Sequence, residues 1–377
     1  MLIYQYYTQL VEYILLGIFS LFFIIQVFYY LRFFIFPFSK YVPTENNEEL
    51  PVSVIICARN EAKNLNENLP AILNQQYNNY EVIVVNDCSE DDTDFVVAAL
   101  MKEHKHLRTT SIHPDRKFTH GKKLAITVGI KSATNEHLVF IDADCKPVSS
   151  NWLKHMQSNF KGKEIVLGYG GYEHKKGLLN RYLRYDATFI ALQYLGFALV
   201  GKPYMGIGRN LAYTKELFFK NKGFASHYGL LSGDDDLFVN ETATKENVSI
   251  ELRPDSFTRS VPKQRWGEWF AQKIRHFSTA GRYKKSDIFR LGMEPLSRFG
   301  FYVLFVLCLL TTVEFYVPLA LVLARLILQL ITSRIIKRKL NDNKLFLLLP
   351  IFDIVSLIIN FVIYLISLFR AKKLQWK

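Results

Sequence analysis

The sequence predicts an α/β fold with a mostly parallel sheet, flanked by transmembrane helices. Between residues 51 and 141, short apolar runs alternate with amphipathic helical stretches, a pattern typical of parallel strands joined by right-handed crossovers. Apolar segments near both ends of the chain are long enough to cross a bilayer. Half of the 377 residues are hydrophobic and 15% are aromatic, which indicates that part of the chain lies in lipid.

The first segment in chain order is predicted to be a transmembrane anchor. Residues 13–31 contain no charged side chain, and the apolar run continues past Arg32 to Phe36. The flanking residues lack the basic segment and the small-residue cleavage site of a secretory signal peptide. Because Arg32 and Lys40 lie just after the run, the positive-inside rule places the following residues in the cytoplasm. We therefore expect an anchor at residues 1–40.

Residues 41–258 are predicted to form the α/β domain. Apolar runs of β-forming residues alternate there with helical stretches that carry an apolar face. A further apolar helical stretch at residues 178–200 contains charged residues and could lie on the membrane surface. The predicted strands are 52–57, 80–85, 107–112 and 138–141, and the predicted helices between them are 62–76, 93–104 and 122–132.

Polar residues follow three of these strands at the point where each strand ends. Residues 58–61 follow the first strand and Asp87 ends the second. Asp142 and Asp144 follow the fourth strand, two residues apart, so their carboxylates point the same way and could hold one Mg²⁺ or Mn²⁺ ion. The carboxyl ends of parallel strands form the edge where open α/β sheets bind ligands. A solvated turn is the alternative for the Asp pair.

Two lysines at the start of a predicted helix, Lys122 and Lys123, add positive charge to this edge. Lysine side chains and the amino terminus of a helix both attract phosphate, so the edge suits a nucleoside diphosphate. The alternative for the two lysines is a solvated helix face, and the alternative for Asp87 is a turn residue that bonds its own backbone.

Four motifs along this edge resemble those of family 2 glycosyltransferases. They occur in the family's order and at suitable spacing, and the resemblance covers roughly residues 50–285. The second motif departs from the family pattern V-D-D-G-S-x-D-x-T at Asn86 and Cys88. The motifs are Pro51 to Glu61 (the opening strand), Val84 to Thr93, Gly121 to Ala125 (similar to G-K-x-x-A) and Asp142-Ala143-Asp144 (similar to D-x-D).

This resemblance implies a GT-A fold and a nucleotide-sugar donor, with uridine as the expected base. It also implies a divalent cation, Mg²⁺ or Mn²⁺, held by Asp142 and Asp144. The residues that the resemblance implies in donor binding are Ala58, Arg59, Asn60, Glu61, Asp87, Lys122, Asp142, Gln272 and Arg275.

Three consecutive carboxylates, Asp234–Asp236, are the candidates for a catalytic base. Adjacent carboxylates repel one another, and a solvated helix amino terminus is the alternative explanation for them. In the family, one Asp of an E-D or G-D-D motif removes the proton from the acceptor hydroxyl during an inverting transfer. Matching residues 233–235 to G-D-D selects Asp235, whereas matching residues 236–237 to E-D-x-D-L selects Asp234. Asp235 is the favoured alternative, and both stay open.

A basic segment at residues 259–298 is predicted to lie on the membrane surface. It contains ten Lys or Arg against three Asp or Glu, with aromatic side chains between them, a composition typical of interfacial helices on anionic lipid. Residues 272–276 resemble the Q-x-x-R-W motif of cellulose, chitin and hyaluronan synthases, with His276 in place of Trp. The resemblance implies that Gln272 and Arg275 lie near the donor diphosphate. The loss of Trp argues against processive chain growth.

Residues 299–377 are predicted to return to the membrane. Residues 299–330 could form two short spans or a hairpin, and residues 345–369 form a last apolar segment. Basic residues lie on both sides of that last segment, so either it re-enters the membrane or the positive-inside rule fails once. Asp353, inside it, is by default a functional-site hypothesis, and packing against another helix is the alternative.

These observations together predict a hexosyltransferase anchored in the plasma (inner) membrane, with its catalytic domain in the cytoplasm. Its expected partners are a nucleotide-sugar donor, a lipid-linked or glycan acceptor, and membrane lipid. Much of the formal net charge of +13 lies in residues 259–298, so no nucleic acid partner is expected. The alternatives are a processive polysaccharide synthase of the same fold, a nucleotidyltransferase on a similar sheet, and a non-catalytic membrane scaffold.

Overall fold

A computed structural model describes residues 2–46, 48–113, 121–311, 314–342 and 348–370. The strands are β1 (Val52–Ala58), β2 (Tyr80–Asp87), β3 (Leu107–Ile112), β4 (His137–Phe140), β5 (Cys145–Pro147), β6 (Ile165–Gly168), β7 (Gly170–Tyr172), β8 (Leu211–Thr214), β9 (Val248–Glu251) and β10 (Thr258–Ser260). The helices are α1 (Leu2–Tyr29), α2 (Phe36–Ser39), α3 (Ala62–Leu73), α4 (Thr93–Glu103), α5 (Lys122–Ser132), α6 (Trp152–Ser158), α7 (Leu178–Leu199), α8 (Lys215–Lys220), α9 (Asp236–Thr242), α10 (Trp266–Phe277), α11 (Lys285–Thr311), α12 (Tyr316–Lys339) and α13 (Leu349–Arg370).

The chain divides into two compact units. Among the described residues, the helical unit contains residues up to 41 and those from 284 to 361, and the α/β unit contains residues from 42 to 283 and those from 362 to 370. Helix α11 begins at Lys285, so the end of the basic segment expected at the membrane surface is the first part of this long helix.

The α/β unit contains a seven-stranded sheet in the order β3-β2-β1-β4-β8-β6-β9. Strands β1 to β4 are parallel, and Ile55 of β1 pairs with Ile83 of β2 and Phe140 of β4. Strand β8 is antiparallel to both of its neighbours, and β9 pairs in parallel with β6. The predicted mostly parallel α/β fold is therefore confirmed.

The sequence folds this way because the central strands are apolar on both sides. Val54 and Ile56 lie on one face of β1 and pack in a single buried cluster with Leu65 and Leu69 of α3. Ile55, on the other face, is also buried. A parallel sheet covered on both faces needs such a continuous apolar run, which places the polar residues at the strand ends.

Helix α7 differs from the expectation that residues 178–200 lie on the membrane surface. Most of its side chains are buried inside the α/β unit, including the carboxylate of Asp186, which pairs with Lys273 of α10 at 2.8 Å. The ring of Tyr182 packs on Trp269, with ring centroids 5.3 Å apart. The apolar pattern alone does not tell whether protein or lipid covers the helix.

Four helices are long and apolar enough to cross a membrane, counted over the described residues. They correspond to residues 9–39, 285–311, 316–339 and 349–367. The segment predicted as two short spans or a hairpin forms part of two separate long helices, α11 and α12. The last apolar segment is one continuous helix. Helices that could span a membrane therefore lie on both sides of the α/β unit in the sequence.

Charged and polar side chains from all four of these helices meet inside the helical unit. Asp353 of α13 pairs with Arg298 of α11 at 3.0 Å and with Arg325 of α12 at 2.9 Å. Arg325 also donates to the side-chain oxygen of Gln26 in α1 at 3.0 Å, and Glu294 pairs with Arg298 at 3.3 Å. The two acidic and two basic groups balance, so the network can be buried without net charge.

Candidate active site

The loops that follow β1 and β2 interlock at the carboxyl edge of the sheet. Asn60 adopts a left-handed backbone conformation with φ of 56°. Its N–H donates to Ser89 Oγ at 2.9 Å, and its side-chain oxygen accepts from the N–H of Glu90 at 2.8 Å. The carboxylate of Asp91 accepts the N–H of Ala62 at 3.0 Å. These bonds fix both loops as one polar cradle.

The predicted donor-binding residues of β1 and β2 lie at the strand ends and in the loop of this cradle. Ala58 and Asp87 are completely buried at the ends of their strands, and Arg59 follows half-buried. The N–H of Glu61 donates to Thr93 Oγ1 at 3.0 Å. Burial raises the pKa of the Glu61 carboxyl, and the nearby negative charge of Asp144 adds to the rise. The β1 loop and the D-x-D motif therefore lie close together.

The D-x-D motif forms a cluster suited to a hard cation. Ligand atoms of Asp142, Asp144 and Cys145 all lie within 4.8 Å of one another. Burial and the negative charge of Asp142 both raise the pKa of Asp144, so a cation here would relieve a real repulsion. Two carboxylates fit Mg²⁺ or Mn²⁺. The Cys145 thiol donates to Asp144 Oδ1 at 3.2 Å and serves to hold that carboxylate.

Lys122 joins the D-x-D motif to the three consecutive carboxylates. Its ammonium lies 2.9 Å from Asp142 Oδ1 and 2.9 Å from Asp234 Oδ2. Burial alone would lower the pKa of Lys122, but the two carboxylates outweigh it and raise that pKa well above its usual value. Lys122 is therefore a fixed positive charge at the sheet edge.

The three carboxylates have different surroundings. Asp234 is buried and bonded to Lys122. Asp236 is buried and accepts hydrogen bonds from the hydroxyls of Thr279 and Tyr283. It also accepts the N–H of Leu237 at 2.8 Å, inside the first turn of α9. The carboxylates of Asp234 and Asp236 therefore already have partners within the protein, and their role is structural.

Asp235, the middle carboxylate, is half-buried and faces the pocket. Its two oxygens accept backbone N–H groups, one from Gly208 at 2.7 Å and one from Asp236 at 2.8 Å. Burial, together with the charges of Asp234 and Asp236, raises the pKa of Asp235 to about 7. A carboxylate with that pKa can accept a proton near neutral pH.

One pocket at this edge contains Asp142, Asp234 and Asp235 together. Lys122 and Gly208 complete its polar side, and apolar side chains from β1, α5, β8 and residues 140–141 form the rest of its wall. A Cβ on Gly208 would lie 3.0 Å from the ammonium of Lys122 and 3.5 Å from Asp235 Oδ2. A side chain at residue 208 would therefore crowd the ammonium of Lys122.

Two further residues of the site, which the sequence motifs did not single out, lie in the loop before β8. Gly208 is one, and its signal was only the small-residue composition of the loop. Arg209 is the other: its guanidinium stacks 4.8 Å from the centroid of the Tyr172 ring, and its charge partly offsets the rise in the pKa of Asp144. Arg209 thus supplies positive charge beside the candidate metal ligands.

Gln272 and Arg275 lie on α10, and Lys273 between them anchors this helix through its ion pair with Asp186. Across the described ranges, the side chains of Gln272 and Arg275 form no hydrogen bond or ion pair with the carboxylates of the D-x-D motif or of residues 234–236. Gln272 Oε1 is buried without a hydrogen-bond partner in that part of the chain. Just after α10, Thr279 binds Asp236, so the end of α10 is tied to the candidate site.

Comparisons with known proteins agree with this geometry. A family model described as glycosyl transferase family 2 matches residues 53–225. Glycosyltransferase AglE of Haloferax volcanii is 32% identical over 232 residues, which span 59% of this chain and 71% of AglE. The poly-beta-1,6-N-acetyl-D-glucosamine synthase of Staphylococcus epidermidis is 28% identical over 127 residues, 33% of this chain and 30% of that protein. Several curated relatives are thus matched over only about a third of their length.

The fold has a solved counterpart along nearly the whole chain. The mannosyltransferase PcManGT from Pyrobaculum calidifontis, solved in complex with GDP-Man and Mn²⁺, superposes with a TM-score of 0.61. The sequences are 20% identical, and the match covers 94% of this chain and 98% of that one. The fold is therefore GT-A. The chain belongs to the family 2 glycosyltransferases, and its described residues include four helices that are long and apolar enough to span a membrane.

Proposed function

We propose that this enzyme transfers a sugar, with inversion, from a nucleoside diphosphate sugar to a lipid-linked or glycan acceptor at the cytoplasmic face of the membrane. The observation that supports this most strongly is Asp235. This carboxylate is oriented by two backbone N–H groups, has a pKa of about 7, and lies in the same pocket as Asp142 and Lys122.

In the proposed mechanism, the chain's own residues hold the donor and remove one proton. The cradle of residues 58–61 and Asp87 takes the nucleoside, and Lys122 takes the diphosphate. A divalent cation on Asp142 and Asp144 would supply charge neutralisation for the leaving diphosphate. Asp235 accepts the proton of the acceptor hydroxyl as its oxygen bonds to the anomeric carbon. The bond from that carbon to the diphosphate oxygen breaks, and nucleoside diphosphate leaves.

The side chains of Gln272 and Arg275 are proposed to contact the donor diphosphate. Arg275 is half-buried on α10, and its charge would stabilise the negative charge that develops on the leaving group. The buried Gln272 oxygen, which has no partner among the described residues, is available to a donor or acceptor hydroxyl. This assignment rests on the resemblance of residues 272–275 to the family motif.

The donor and the orientation in the membrane are further parts of the proposal. A uridine-based donor is the first candidate, and a guanosine-based donor is the second because PcManGT was solved with GDP-Man. By the positive-inside rule, Arg32, Lys40 and the basic residues 334–339 support a cytoplasmic location for the ends of α2 and α12. Four spans then put the end of α13 outside, which breaks the positive-inside rule once. Attaching reporter domains after Lys40 and after α12 tests this orientation.

A release assay on the purified full chain tests the reaction. Nucleoside diphosphate is measured with a panel of UDP- and GDP-sugars, Mg²⁺ or Mn²⁺, and native membrane lipid. Asp144→Asn and Asp235→Asn are run in parallel. Release from one donor that both variants lose supports the mechanism. Turnover that survives in Asp235→Asn but not in Asp234→Asn identifies Asp234, not Asp235, as the base. Turnover that survives both Asp142→Asn and Asp144→Asn contradicts the metal site.

A processive polysaccharide synthase is the second candidate, since a relative bears the name poly-beta-1,6-N-acetyl-D-glucosamine synthase. His276 occupies the position of the motif's Trp, which argues for single transfer. Sizing the product by mass spectrometry separates the two candidates. A ladder of increasing sugar number supports the synthase, and a single added sugar supports the first proposal.

A further inference from the structure

Lys123 has surroundings quite different from those of its neighbour Lys122. Its ammonium is buried and donates to three backbone carbonyls, those of His227 at 2.8 Å, Leu230 at 2.8 Å and Ser232 at 2.6 Å. The sequence grouped Lys123 with Lys122 as a phosphate ligand. The structure instead uses all three N–H donors of this ammonium inside the protein.

The carbonyls that Lys123 binds belong to the turn that delivers the candidate base. Residues 227–232 lead directly into Gly233, whose φ of 107° is a conformation that favours glycine. The imidazole Nε2 of His227 donates to the carbonyl of Gly233 at 2.8 Å, which closes the turn. Helix α9 begins only at Asp236, so Asp234 and Asp235 lie outside any regular element. Their backbone position therefore depends on what holds this turn.

Adjacent lysines at the start of α5 thus hold two different parts of the same segment. Lys122 binds the side chains of Asp142 and Asp234. We propose that Lys123 is a positioning residue for Asp235: its three bonds fix the turn at residues 227–232 so that the Asp235 carboxylate remains on the N–H groups of Gly208 and Asp236. This inference rests on the proposed role of Asp235 as the base.

Two physical effects follow from removing the Lys123 ammonium. Three buried carbonyls lose their donors, and the turn must relax to find others, which displaces Asp235. Misplacement of a reacting group by about 1 Å costs roughly 100-fold in rate. A positive charge also disappears from the neighbourhood of Asp234, Asp235 and Asp236, so the pKa of Asp235 rises. Three other charged groups act on Asp235, and the substitution leaves them unchanged. They are Asp234, Asp236 and Lys122.

The test compares Lys123→Met with Lys131→Met in the purified full chain. Lys131 is exposed in the last turn of the same helix and serves as the matched control. For Lys123→Met we expect kcat to fall roughly 10- to 100-fold while metal-dependent donor affinity stays within about twofold. The acid limb of the kcat–pH profile is expected to move to higher pH. Lys131→Met should match the unmodified protein in all three measurements.

A second variant, Lys123→Gln, keeps an amide N–H that can donate to some of the three carbonyls. It should therefore destabilise the protein less than Lys123→Met. Its kcat should lie between those of the unmodified protein and Lys123→Met. The positioning role is overturned if both variants turn over within about threefold of the unmodified protein, or if donor affinity falls as much as kcat while the pH profile stays fixed. Asp235→Asn separates the two proposals. If Asp235→Asn is active, the base assignment fails; if it is inactive while Lys123→Met is normal, only the positioning role fails.

Discussion

The raised pKa of Asp235 makes the rate of transfer depend on pH in a way that can be calculated. Burial, Asp234 and Asp236 raise the pKa of this carboxyl to about 7, and only its ionised form can accept a proton. With that value, about a tenth of the enzyme is ionised at Asp235 at pH 6 and about nine tenths at pH 8. We expect kcat to increase about tenfold between these two pH values, and activity to be lost as pH falls through 7.

The assay is nucleoside diphosphate release at saturating donor and metal, at half-unit steps from pH 5.5 to 8.5. Asp236→Asn provides an independent check, because it removes one neighbouring negative charge and retains an acceptor for Thr279 and Tyr283. It should move the midpoint of the profile to lower pH. A kcat that is constant from pH 5.5 to 8, or a midpoint that Asp236→Asn leaves in place, would refute the assignment of this limb to Asp235.

Three further predictions concern other parts of the structure. Asp144→Asn should lower nucleoside diphosphate release by at least about 100-fold and weaken Mn²⁺-dependent donor binding, measured by calorimetry. Gly208→Ala should lower kcat roughly tenfold with little change in donor KM, because the added carbon would lie 3.0 Å from the ammonium of Lys122; steady-state kinetics separates the two constants. Asp353→Leu leaves two buried arginines without their shared carboxylate and should cost about 3–5 kcal/mol, seen as a lower unfolding temperature in detergent.

The sheet and its polar edge could be predicted from the sequence because both depend on local patterns. The apolar run of residues 52–57 and the polar residues after it mark a buried strand and its end, and the third predicted strand, residues 107–112, has the bounds that the structure gives it. Asp142 and Asp144 could be paired because residues two apart on a strand share a side. Such signals lie within a few residues of one another.

Contacts that packing creates between distant segments could not be predicted from the sequence. Nothing in the spacing pairs Lys122 with Asp234, or directs Lys123 to carbonyls more than 100 residues away. The burial of α7 in protein and the partners of Asp353 escaped prediction for the same reason. An apolar face, or a charge inside a membrane segment, predicts that a packing partner exists. The sequence pattern does not identify which residues form that partner.

The ionic network in the helical unit has a consequence for the order in which the protein is made. Ribosomes complete α11 and α12 before α13. If these helices span the bilayer as proposed, Arg298 and Arg325 enter it before Asp353 exists. Each unpaired arginine costs about 2.5–3.5 kcal/mol at the centre of a spanning helix, and Glu294 can offset only one of them. The two helices are therefore expected to remain beside the insertion machinery until α13 arrives. A chain truncated before residue 349 should be retained there and degraded, even though all seven strands of its large sheet are present.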